Sequence, residues 1–175
     1  MHIRTALPED IDRIKALYKE VARSENSGLV RKEEEITDEY VSQFIEKSLT
    51  NGLIIVAEHP DDPEQLIGEV HGYPSPVRTL KHVMSDLTIV VHPQFQRKKI
   101  GRTLFTIFLE EIGKNRPDIG KVELFVRETN AKAMQLYQSM GFLIEGRMEM
   151  RVKSRKNLYE ADIVMGWQNP NFEFD

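Results

Sequence analysis

The chain has 175 residues, a formal net charge of −4, 40% hydrophobic and 30% charged residues, the make-up of one globular domain, 1–175, with a sizeable core. That net charge excludes a molecule that binds polyanions with its whole surface, while leaving a local basic patch open. There is no cysteine, which excludes disulfides, thiolate zinc sites and thiol nucleophiles. Met1–Pro8 carries no apolar stretch of signal-peptide length and no run approaches membrane-spanning length, so a cytoplasmic protein without membrane attachment is expected.

In chain order, His2-Ile3-Arg4 is a short extended start. Pro8 opens a helix, as proline does in a first helical turn. Ile11, Ile14, Leu17, Tyr18 and Val21 recur at helical spacing, and Ser24–Gly28 ends that helix in a polar loop. Thr37 begins a second helix with Tyr40, Val41, Phe44, Ile45 and Leu49 on one face, closed by Asn51-Gly52. Strand patterns follow at Leu53–Glu58, Leu66–Tyr73 and Val83–Val91, the last ended by Pro93. Ile100–Lys114 is helical, Lys121–Val126 a strand, and Ala131–Met140 a helix with Gly141 as its stop. Phe142–Val152 and Leu158–Met165 make a closing antiparallel pair, and the tail Asn169–Asp175 is expected to be loose. Early neighbouring strands followed by strand–helix–strand–helix units predict a mixed α/β sheet with helices on both faces.

Two segments carry chemistry. Gln96-Arg97-Lys98-Lys99-Ile100-Gly101-Arg102 lies between a strand and an amphipathic helix. The first amides of a helix have no intrahelical partner, and the helix dipole adds positive charge there. Together they form an anion site, to which Arg97, Lys98, Lys99 and Arg102 add full charges. Gly101, without a Cβ, permits close approach of a ligand to the backbone. A solvated basic cluster is the plain alternative, and a nucleic-acid patch a third, lacking interleaved aromatics beyond Phe95. In the later helix Asn130 suits an N-cap, and Ala133, Leu136, Tyr137 and Met140 form one stripe. Tyr137 is either a core aromatic with a satisfied hydroxyl or a proton donor at a pocket edge.

Together these segments resemble the GNAT superfamily of N-acetyltransferases, in its small-molecule or amino-acid branch. Val91–Leu104 resembles that family's acyl-CoA loop, Gln/Arg-x-x-Gly-x-Gly/Ala. Asn130-x-x-Ala133-x-x-Leu136-Tyr137-x-x-x-Gly141-Phe142 resembles its second signature, and His2–Ala6 with Pro8-Glu9-Asp10 resembles a common family start. The resemblance implies a mostly antiparallel sheet of about seven strands, with two central parallel strands, Val83–Val91 and Lys121–Val126, that splay around acetyl-CoA. The pantetheine arm would bond Ile89, Val90 and Val91. The pyrophosphate would sit on the amides from Arg97 to Arg102 beside Gln96, and Asn130 would contact the cofactor. Tyr137 would protonate the departing thiolate after direct attack by a primary amine in a ternary complex. No metal and no nucleic acid is implied, and a homodimer is common in such folds. A non-catalytic acyl-CoA-binding module is the alternative.

Two positions depart from the family pattern. Lys99 stands where the motif usually has its first glycine, so a Cβ there would crowd the phosphate or force a different backbone angle, while its ammonium could pair with phosphate. Some N-terminal acetyltransferases of the family carry a glutamate base five positions before the signature asparagine; here that position is Phe125, which weakens a ribosomal-protein acetyltransferase reading. The remaining candidates for a base are Asp86, His71, His82, Glu69 and Glu123. Asp86 comes first because it lies mid-strand among apolar residues, where an ionised carboxylate is costly unless used or paired. His71 comes second because histidine titrates in the useful range. The acceptor site is expected among Val21–Glu35, Gly72–His82 and the closing strands, and the run Glu33-Glu34-Glu35 suits either a cationic acceptor or a solvated approach to a helix.

Overall fold

The computed structural model describes residues 1–24, 28–154 and 158–173, so residues 25–27 of the expected polar loop lie outside the described part. Two compact units form, each from two stretches of chain: 1–73 with 88–110, and 74–87 with 111–175.

The first unit holds β1 (Ile3–Thr5), α1 (Ile11–Arg23), α2 (Asp38–Asn51), β2 (Leu53–Glu58) and most of β3 (Leu66–Pro74). It also holds the second half of β4 (Val83–Val91) and most of α3 (Ile100–Asn115). Pro8 opens a 3-10 turn, Pro8–Asp10, rather than the α-helix itself. Ile14, Leu17, Tyr18 and Val21 then bury the apolar stripe of α1. The Thr37 hydroxyl caps α2 by accepting from the amide of Tyr40 at 3.2 Å. β1 pairs antiparallel with β2, and β2 with β3. A Cβ at Gly68 of β3 would meet Leu104 Cδ1 of α3 at 2.7 Å, so glycine lets α3 seat on the strand. The next residue, Glu69, bonds Tyr18 of α1, and His71 stacks on Phe44 of α2. Successive strand residues face opposite sides, so α3 lies on one face of this unit's strands and α1–α2 on the other.

The second unit holds β5 (Lys121–Arg127), α4 (Ala131–Ser139), β6 (Leu143–Lys153) and β7 (Tyr159–Gln168). β5 and β6 both pair antiparallel with β7. β4 pairs parallel with β5 at Val83↔Lys121 and Met84↔Val122; the ladder stops there, before Asp86, whose backbone turns left-handed at φ 47°. Strand order is thus β1-β2-β3-β4 and β4-β5-β7-β6 about the shared strand. This is the expected fold class: a mostly antiparallel seven-stranded sheet with one parallel pair, and helices.

The expectation of a loose tail fails for Asn169–Glu173. Asn169 is buried, its Nδ2 donates to the carbonyl of Ile119 at 2.8 Å, and Asn171 Nδ2 donates to the carbonyl of Gly113 at 2.8 Å. The partners lie some fifty positions back, beyond the reach of any local pattern. Residues 174–175 lie outside the described part.

Near the N-terminus a buried ion pair ties α1 to β1. The Asp10 carboxylate accepts from Arg4 at 2.7 and 2.9 Å, from Arg13 at 2.8 Å and from the amide of Leu7 at 2.8 Å. Desolvation alone would raise its pKa. The bonds from Arg4 and Leu7 and the charges of Arg4 and Arg13 outweigh that and hold the carboxyl below its ordinary range. A depressed carboxylate stabilises the fold above its unfolded pKa, and that contribution is lost as pH falls through the folded value. Asp10→Asn is expected to lower stability at neutral pH by ~1–3 kcal/mol, since it removes the charge of a buried carboxylate that Arg4, Arg13 and the amide of Leu7 all bond. In urea unfolding at several pH values, the difference from the parent should shrink below pH ~4; a difference independent of pH would contradict the pairing.

Candidate active site

The loop that follows β4 is built by two left-handed residues. A 3-10 turn, Pro93–Phe95, leaves the strand, and the His92 ring accepts from the amide of Gln94 at 3.3 Å. Lys98 folds its ammonium over the Phe95 ring, 4.5 Å from the centroid. Arg97 (φ 62°) and Lys99 (φ 64°) both adopt the left-handed backbone, which costs a residue with a Cβ roughly 1–2 kcal/mol. Lys99 therefore keeps the glycine-like angle of the family position despite its side chain. Left-handed residues on either side of Lys98, leading into a helix, are the kind of backbone from which anion-binding nests are made. The carbonyl of Lys99 accepts from the amide of Thr103 at 2.9 Å, placing Lys99 at the N-cap of α3. A lysine side chain has no acceptor, so Lys99 does not itself cap the helix. Gln96, Arg97, Lys98, Lys99 and Arg102 are exposed around this end, while Ile100 is buried beneath it.

A Cβ at Gly101 would meet Val91 Cγ2 at 3.3 Å and Ile89 Cδ1 at 3.8 Å, so its missing side chain also lets α3 approach β4. Val90 is buried, and Ile89 and Val91 are half-buried.

In the second unit, Asn130 is the N-cap of α4, its Oδ1 accepting from the amide of Ala133 at 3.2 Å. α4 ends in a Schellman motif: the amide of Phe142 bonds the carbonyl of Tyr137 at 3.1 Å, and that of Gly141 the carbonyl of Gln138 at 3.0 Å. Gly141 takes φ 94°, as a glycine stop requires. Tyr137 is buried beside Phe142, ring centroids 6.0 Å apart, and burial pushes its phenol up to about 12. It is protonated at neutral pH and can act only as a donor of its proton.

The candidate bases separate. The reasoning that favoured Asp86 assumed a carboxylate among apolar neighbours; the left-handed turn instead leaves Asp86 exposed, and the desolvation argument fails for it. Glu69 and His71 are buried in the first unit. Tyr18 donates to Glu69 Oε2 at 2.6 Å, His71 Nδ1 lies 2.9 Å from Glu69 Oε1, and the Phe44 and Tyr73 rings lie parallel to the His71 ring, centroids 4.2 and 6.1 Å away. Glu123 lies 3.4 Å from the Lys121 ammonium, and His82 is exposed. The carboxylate that does meet the criterion applied to Asp86 is Asp162 of β7, between Ala161 and Ile163. It is 7% exposed, and burial raises its pKa against the opposing charges of Arg151 and Arg127. Both residues lie in strands among apolar residues, Asp162 with Glu160 two positions before it.

Among the described residues no cluster of three or more His, Asp or Glu side chains could hold a metal, and no helix is long and apolar enough to cross a membrane.

The sequence matches the family model "Acetyltransferase (GNAT) family" over residues 14–142, from α1 through the signature Phe142. The chain belongs to the GNAT acetyltransferase family. Its structure is similar to a GNAT acetyltransferase from Streptococcus pneumoniae (TM-score 0.84, 23% identity, 95% of this chain and 98% of that one). It is similar also to a ribosomal-protein-alanine N-acetyltransferase from Brucella melitensis (0.81, 22%, 96% and 99%). A phosphinothricin acetyltransferase from Sinorhizobium meliloti, in complex with AcCoA, is a third (0.82, 15%, 98% and 89%). At such identities these likenesses concern the fold. No curated protein matches the sequence.

If Lys99 holds a glycine-like angle, glycine should relieve it. Lys99→Gly is expected to stabilise the protein by up to ~1 kcal/mol, the left-handed penalty less the added chain entropy of glycine. Thermal unfolding checks this; a loss of stability would mean that the lysine side chain makes contacts that outweigh the strained backbone.

Proposed function

We propose that the chain is a cytoplasmic N-acetyltransferase, one domain over 1–175, that moves an acetyl group from acetyl-CoA to a primary amine of a small or amino-acid-like acceptor. One observation carries the cofactor half of this reading. The left-handed pair Arg97 and Lys99 leads into the first amides of α3, amid exposed cations, in the segment that resembles the family's acyl-CoA loop. Backbone N–H groups so placed suit a pyrophosphate. In this reading the amides of Arg97–Arg102 hold the pyrophosphate, with Gln96 beside it, Ile89, Val90 and Val91 bond the pantetheine arm, and Asn130 contacts the cofactor.

The amine attacks the thioester carbon, the N–C bond forms, and the C–S bond breaks with its electrons on sulfur. Tyr137 is the proposed donor to that sulfur. A phenol raised to about 12 is a weaker acid than a thiol of ordinary pKa ~8.5. Tyr137 therefore works by hydrogen-bonding the charge that develops on sulfur, with the thiol's final proton drawn from solvent through it. The attacking amine must itself lose a proton, and Asp86 is the carboxylate that sequence pattern alone favours to accept it.

Acetyl-CoA is expected to raise the thermal midpoint, because a ligand that binds only the folded state stabilises it. No shift at saturating acetyl-CoA would sink the proposal, and a shift without CoA release across a panel of amines would favour a non-catalytic acyl-CoA-binding module. Tyr137→Phe is expected to lower kcat ~10-fold or more with acetyl-CoA affinity nearly unchanged; unchanged turnover would remove Tyr137 from the reaction.

A further inference from the structure

We propose that Asp162, rather than Asp86, is the carboxylate that takes the proton from the acceptor amine; this rests on the acetyltransferase reading above. Asp162 sits mid-strand in β7, opposite Arg127 of β5 and Met148 of β6. Its neighbours along the strand, Ala161, Ile163 and Met165, face the core and are buried. Alternation puts Asp162 on the other face with Val164, which lies opposite Phe125. Phe125 is 46% exposed, so that face opens to solvent one pair away from a residue that is 7% exposed.

Such a carboxylate ordinarily collects hydrogen bonds. Glu69 and Asp10 both do. Among the described residues the Asp162 carboxylate accepts none, and the charges that face it act at longer range: Arg127 from β5, Arg151 from β6 and Glu160 along β7. Arg151 holds its guanidinium over the Phe125 ring, 5.8 Å from the centroid, and Glu160 accepts from the Thr129 hydroxyl at 3.0 Å. A largely buried carboxylate that bonds no donor among the described residues has room for one, and a donor that arrives with the substrate supplies that bond. The amine N–H is such a donor. As the N–C bond forms and the C–S bond breaks, the nitrogen's proton passes to an Asp162 oxygen and from there to water, while sulfur is hydrogen-bonded by Tyr137. Burial that raises the carboxyl toward the working pH makes it a better base.

The position also answers the departure at Phe125. Where some relatives carry a glutamate on the strand before the signature asparagine, this chain has an aromatic, and the carboxylate stands instead on the adjoining strand, diagonal to it.

The test is Asp162→Asn, assayed by CoA thiol release with a panel of free amino acids, spermidine, an aminoglycoside and peptide N-termini. With the best acceptor, kcat/KM is expected to fall by ~10²-fold or more and the acidic limb of its pH profile to disappear. Stability separates this from a structural role. Because the folded pKa is raised, the ionised carboxylate is disfavoured in the fold, and stability increases as pH falls through the folded pKa. Removing the charge should therefore leave the thermal midpoint at neutral pH unchanged or higher. Retained activity with the acidic limb intact overturns the proposal, as does lost activity accompanied by a lowered midpoint. If the parent protein releases no CoA with any amine, the acetyltransferase reading fails. Carboxyl-carbon NMR titration of Asp162, which needs no acceptor, tests the site separately from that reading: titration above the ordinary aspartate range is expected, and titration within or below that range overturns the assignment of Asp162 even where CoA is released.

Discussion

Arg97 and Lys99 hold a backbone angle that side chains ordinarily avoid, and the start of α3 depends on it. The strand before them is packed against α3 through Gly101, and α3 is seated on β3 through Gly68. With both ends fixed, the chain between β4 and the helix must reverse quickly, and two left-handed residues achieve this. The consequence is electrostatic. The loop amides come to lie at the positive end of a sixteen-residue helix, with exposed cations around them.

The second unit applies a different constraint. α4 is short and needs both of its ends secured: Asn130 caps one, and the Schellman turn at Gly141 closes the other. Closing it there buries Phe142 and sets Tyr137 against it. The family's second signature is thus first of all a recipe for one rigid helix, and its tyrosine gains a high pKa because the helix presses it into an apolar environment. A helix fixed at both ends is what a positioned proton donor requires.

Much of this was legible from sequence because it is local. Hydrophobic periodicity located α1, α2, α3 and the strands, and the Thr37, Asn130 and Gly141 boundaries were readable as cap chemistry. The irregular Lys99 was visible as a departure from a motif, though only coordinates show that it keeps the glycine angle. What was not legible depends on partners far along the chain. That Gly101 also makes room for Val91 and Ile89 is set by the strand that α3 packs against. Asn169 reads as the start of a frayed tail and proves to be anchored to Ile119. Asp86 and Asp162 share a pattern, and what separates them is a left-handed turn in one strand and neighbours from two strands in the other.

The central claim is that the amides from Arg97 to Arg102 receive a pyrophosphate. Amide ¹H–¹⁵N chemical shifts followed during titration with coenzyme A, and separately with pantetheine, test it most directly. The account predicts that coenzyme A moves the amides of Lys99, Ile100 and Gly101 strongly while pantetheine, which lacks the pyrophosphate, leaves them in place. Amides in this loop that stay still with coenzyme A, or move equally with both, would contradict it.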